Sequence, residues 1–167
     1  MSSRHLLWLA LLPAVSSFAA ETPELKRAAG TPQAVGAAHT LRQIPEACAR
    51  LEGVFTGEAA QPYKFAVVRT SEQCRPRARF VDYDKAQPSE AKGWKLNDVI
   101  RVPNAGCPAQ QAVVRVWRMP VTTTPELDGQ GQSRIYLEDA KKQAAAGKIT
   151  QVPMFAAQMK VEGKACN

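Results

Sequence analysis

Four cysteines, Cys48, Cys74, Cys107 and Cys166, are scattered through a chain of 167 residues, with no two in a C-x-x-C pair. What they can do depends on where the chain works, and the N-terminus bears on that. Residues 1–20 read MSSRHLLWLALLPAVSSFAA: Arg4 precedes an apolar run from Leu6 to Val15, and Ser17-Phe18-Ala19 has the small-x-small form of a cleavage site. The run is shorter than the roughly 20 apolar residues that a membrane span needs. Residues 1–20 are therefore expected to be a signal peptide, and the mature chain to be exported to the periplasm or beyond, with no transmembrane segment. No cysteine follows the cleavage region to accept a lipid.

Export makes the thiols a disulfide framework. Four scattered cysteines in an oxidising compartment predict two disulfides, with three possible pairings. Zinc is the rival, but His39 is the only histidine beyond the leader and no pair has ligand spacing. A catalytic thiol would depend on that same histidine for its base. A loop as long as Cys107 to Cys166, once closed, would contribute about 4 kcal/mol in the chain-entropy model.

Residues 21–38, ETPELKRAAGTPQAVGAA, mix Pro, Gly, Ala and charge without apolar periodicity, and are expected to form a flexible N-terminal arm. Residues 39–167 remain as a single domain, large enough to bury about two-thirds of its unfolded surface. Loss of Arg4 with the leader reduces the formal charge by one from +7, leaving a basic exported protein drawn to anionic surfaces.

Within the domain, Pro45 suits a first helical turn, and Ile44, Cys48 and Leu51 share a helical face ending at Gly53, which predicts a short helix. Tyr63 to Thr70 is aromatic and β-branched, and Cys74 to Asp82 is expected to return as its hairpin partner, with Pro76 confining the start to an edge. Trp94 to Val102 alternates, interrupted by Asp98, which predicts a bulge there or a buried partner for an arginine. Ala112 to Met119 is apolar enough to be central. Residues 120–132 form a long loop, Leu137 to Ala146 a helix with Gly147 beyond it, and residues 149–162 a last strand with Pro153 at a bulge or edge. The fold expected is α+β and β-rich: an antiparallel sheet of about six strands, as a sandwich or half-open barrel, with two short helices and two disulfides.

Catalytic templates each lack a part. A triad would have only His39, at the domain boundary, as its base, and DGQGQS lacks the lysine of a phosphate-binding loop; no cofactor is expected. Asp82 and Asp84, with Asp98, are the carboxylates left for an enzyme acting on a saccharide. The cationic feature is clearer. In CRPRARF, Arg75, Arg77 and Arg79 alternate with other residues, so an extended backbone would stand them in a row about 7 Å apart, with Arg69 close by. Such a row either keeps an edge soluble or grips carboxylate or phosphate groups bidentately. The functional expectation is a non-enzymatic binding module, its site at Arg69, Arg75, Arg77 and Arg79, with an anionic envelope polymer or an acidic protein as partner. An inhibitor that inserts loop 120–132 is a variant of it. Nucleic acid is not expected in an exported protein, and an envelope component without a discrete site is the remaining alternative.

Overall fold

The structure, a computed structural model, describes residues 21–121, 129–130, 135–148 and 151–166. The leader 1–20, most of loop 120–132 and the proposed start of the last strand at 149–150 lie outside the described residues. Among the described residues there are seven strands: β1 (His39–Ile44), β2 (Ala49–Phe55), β3 (Tyr63–Arg69), β4 (Arg79–Phe80), β5 (Lys95–Asn104), β6 (Cys107–Met119) and β7 (Met154–Gly163). Two helices accompany them, α1 (Tyr83–Ala86) and α2 (Leu137–Ala145). One sheet is antiparallel, in the order β1-β2-β3; the other runs β4-β7-β6-β5 and is mixed, because the two-residue β4 lies parallel to β7. The β-rich α+β fold with two short helices and two disulfides is as expected; the parallel β4 is the addition.

The two sheets share one core. Leu41, Ile44, Leu51, Phe55 and Tyr63 from the first meet Ile100, Val102, Ala112, Val114, Val116, Phe155 and Ala157 from the second. The opposite face of the second sheet is also covered: Trp94, Leu96, Val99, Val113, Trp117 and Ala156 pack with Val81, Tyr83 and Ala86 from the α1 segment. Burial on both faces is why β6 reads as a near-continuous apolar run, and β6 does sit between β5 and β7.

The helix expected from Pro45 does not form. Pro45–Ala47 make one 3-10 turn, Cys48 adopts a left-handed conformation (φ 50°), and the chain reverses directly from β1 into β2. Alternation wins over the helical spacing: Ala49, Leu51, Gly53 and Phe55 are buried while Arg50, Glu52 and Val54 are not. Gly53 is accordingly no helix cap. A Cβ there would overlap the Tyr63 hydroxyl, so glycine is what lets the Tyr63 ring lie across β2. That ring stacks edge-on against Phe55 at 4.8 Å, and its buried hydroxyl is 2.8 Å from His39 Nε2. The Nδ1–H of a neutral His39 donates to the Ala37 carbonyl (3.0 Å), so Nε2 accepts from Tyr63. Burial pushes the Tyr63 phenol well above its ordinary pKa.

Nor does the hairpin of residues 63–70 with 74–82 form. β3 pairs with β2, and the only strand in the later stretch, β4, pairs with β7. The cysteines join as Cys48–Cys74 and Cys107–Cys166. Gln110 opposes Gly163 in the β6–β7 ladder, so the second bridge continues the same register beyond the end of β7.

Residues 21–38, expected as a flexible arm, are instead held in place: Glu24 to Gln33 run along the outer edge of β5, and Gly36 donates to the Phe55 carbonyl at the end of β2. Glu24 and Leu25 donate main-chain bonds to the Leu96 and Asn97 carbonyls, Gly30 to Arg101 and Gln33 to Pro103, and Ala105 donates back to Gln33. Two side-chain clamps hold the segment. Arg118 grips Glu24 with two bonds (2.6 and 3.1 Å) and Asn97 adds a third at 2.8 Å. Arg27 grips Asp98 with two more (2.7 and 3.0 Å). Asp98 is fully buried and also faces Arg42 at 3.4 Å. The irregularity foreseen at Asp98 is therefore both things at once, a register shift in β5 and a buried ion pair.

Candidate functional site

The arginine stretch is built from a disulfide outward. Cys74 is tied to Cys48 at the β1–β2 turn, with Cα atoms 5.8 Å apart. The Arg77 and Ala78 amides both donate to the Glu46 carbonyl of that turn (2.7 and 2.8 Å), and the Arg79 amide donates to the Pro153 carbonyl. These anchors fix residues 74–80, which bend at Arg77–Ala78 and form strand only at Arg79–Phe80. The alternation read from the sequence survives without the hairpin that was to carry it. Arg75, Arg77 and Arg79 are exposed; Pro76 and Phe80 are half-buried and Ala78 is buried in the core.

Arg69 is brought near Arg75 by the bridge, not by strand pairing. Its guanidinium donates to the main-chain carbonyls of Ser71 (3.0 Å), Glu72 (3.0 Å) and Cys74 (3.2 Å), closing the loop between β3 and the bridge. Those acceptors are neutral carbonyls, so the bonds hold the side chain in place without forming an ion pair. Arg69, Arg75 and Pro76 form one wall of a cleft of about 500 Å³. Tyr136, Leu137, Glu138 and Asp139 at the start of α2 form the other, so an anion entering it meets carboxylates opposite the arginines.

Arg79 turns the other way, to a second cleft of about 590 Å³ that the sequence did not suggest. Val81, Ala86, Trp94, Met119 and Met154 supply its apolar lining; Arg79, Lys85 and Asp82 are its charged members. Arg79 Nη2 lies 3.2 Å from the Met154 sulfur. Neither methionine carries a motif, and the cleft exists because the α1 segment folds back over the end of the second sheet.

The carboxylates singled out for catalysis sit in other roles. Asp82 caps α1, accepting from the Lys85 amide at 3.0 Å, and Asp84 is exposed in the same turn. Asp98 is closed off beneath Arg27 and Arg42. Burial pulls the Arg42 pKa down, and the Asp98 charge pushes it back up. Among the described residues no three of His, Cys, Asp and Glu come together as a metal site, and no helix is long and apolar enough to cross a membrane. Comparison with protein-family models, characterised proteins and solved structures finds no match to this chain.

Proposed function

We propose that the protein is an exported binding module that presents Arg75, Arg77 and Arg79 to an anionic partner, an envelope polymer or an acidic protein. The observation that carries this reading is the pinned alternation of residues 74–80. Three exposed arginines alternate with the more buried Pro76, Ala78 and Phe80 on a backbone pinned by the Cys48–Cys74 bridge and by bonds to Glu46 and Pro153, with Arg75 at one cleft and Arg79 at another. Preorganisation of this kind removes the ordering cost that a mobile arginine segment would meet on binding. Two disulfides are compatible with an oxidising compartment, and export is part of the proposal. The catalytic alternative gains nothing from the positions of Asp82, Asp84 and Asp98.

Retention of the mature protein on envelope extract, followed over a salt series, tests it. The Arg75/Arg77/Arg79→Ser triple variant should weaken capture at least tenfold near 0.1 M salt while its unfolding midpoint stays close to that of the parent. Capture that persists unchanged at 1 M salt, where exposed charges are screened beyond about 3 Å, would overturn it. Equal capture by the triple variant would do the same.

A further inference from the structure

We propose that the outer edge of β3 accepts an extended acidic segment of a partner protein as an added strand. This rests on the reading that the partner is anionic, and narrows it to a polypeptide. Among the described residues no main-chain bond reaches this edge, whereas the other edges are covered, irregular or short. β5 is overlain by residues 24–33, β1 carries an irregularity between Thr40 and Arg42, and β4 is two residues long and follows Pro76. β3 pairs with β2 in unbroken register over all seven of its residues and contains no proline.

Its phase can be read from the flanking bonds. Thr70 N donates to Cys48 O and Thr56 N to Pro62 O, so the even-numbered residues of β3 direct their main-chain groups at β2. The N–H and C=O of Phe65 and Val67 therefore point away from the sheet, and neither residue has a main-chain partner on that side among the described residues. Val67 is also 43% exposed. Seven residues at about 3.3 Å each offer an edge of roughly 20 Å, enough for a six-residue segment.

Charge selects the occupant. The strand YKFAVVR carries Lys64 and Arg69, both exposed, and no carboxylate. A second copy pairing edge to edge would bring four cations together without an anion between them, which is how basic residues protect an edge from self-association. The same two cations favour a strand bearing glutamate or aspartate. Main-chain pairing would supply the affinity and the cations the choice of sequence.

The test uses the mature chain with three probes: a capped peptide of alternating Glu and Val, the same peptide with alternate amides N-methylated, and polyglutamate of equal charge. The unmodified peptide should slow exchange at the Phe65 and Val67 amides. N-methylation should weaken binding tenfold or more. Val67→Pro should do likewise with the fold intact, since the Val67 N–H takes no part in the β2–β3 ladder. Should that variant unfold, amide exchange in the parent protein and the N-methylated peptide still decide. Equal binding of all three probes without protection at Phe65 and Val67 would overturn the strand while leaving the anionic partner standing. No binding by any probe would sink both. Protection at Phe65 and Val67 that rises with protein concentration alone would assign the edge to a second copy and overturn the proposal.

Discussion

β5 and β3 each end a sheet, and the chain treats them oppositely. Along β5, residues 24–33 occupy the outward carbonyls of Leu96, Asn97, Arg101 and Pro103, and two bidentate ion pairs fasten the cover. Along β3 no main-chain bond reaches the outer side of Phe65 or Val67 among the described residues, and Lys64 and Arg69 are the charges that discourage another copy. An edge with a covalently attached cover is protected against every partner, because the cover competes at very high effective concentration. An edge guarded by charge alone is protected against its own copy and open to the opposite sign. The molecule thus has one edge sealed by structure and one filtered by electrostatics.

The contrast breaks first at Asp98. Asp98→Ala leaves the Arg42 guanidinium mostly enclosed without its counter-ion and frees Arg27, at a cost of about 3 to 4 kcal/mol in urea unfolding. The amides of Gly30 and Gln33 should exchange faster in that variant. A loss under about 1 kcal/mol with those amides still protected would mean that the main-chain bonds alone hold the cover.

On the β3 side the sharper probe is Gly53→Ala. The added methyl overlaps the Tyr63 hydroxyl and must displace the ring from Phe55 and His39, for about 2 kcal/mol by thermal unfolding. If the change is neutral, Tyr63 is not what binds β3 to the core.

The smallest effect concerns Glu24. Its bonds from Arg118, with a further contribution from Asn97, hold its carboxyl below the ordinary carboxylate value despite some burial. A lowered folded pKa means a stabilisation that is complete above the unfolded value, about 4.3, and lost as pH falls through the folded one. Protection of the Leu25 amide, corrected for intrinsic exchange, should therefore decline below about pH 4 while that of the β2–β3 ladder holds. At neutral pH Glu24→Gln should cost less than about 1 kcal/mol, as exposed pairs do. Protection at Leu25 that is flat through this range would remove Glu24 from the fastening of the cover.

What could be read in advance was local. Alternation marks β5 and β7, aromatic and β-branched content marks β3, and apolar content marks β6, because each depends only on residue type and near-neighbour spacing. Leu137 to Ala145 declared itself through helix formers ahead of Gly147. At Ile44–Gly53 two periods overlapped, and the helical one misled because Leu51 satisfies both; the buried set Ala49, Leu51, Gly53, Phe55 was the signal that could have settled it. The segment 21–38 was misread for another reason. Its hold is made of main-chain bonds and two side-chain clamps, which leave no periodic trace in residue type.

By itself the sequence determined that this is a β-rich fold with four half-cystines and exposed arginines at 75, 77 and 79, since each follows from residue type and nearest-neighbour spacing. Only the tertiary structure decided that Cys48 joins Cys74 and Cys107 joins Cys166, that β3 pairs with β2, and that Asp98 answers Arg27 across 71 positions. Pairing is a choice among distant segments of similar composition. It is made by register, by the closure of a shared core and by which edge is left over, and none of these is a property of any stretch of chain taken alone.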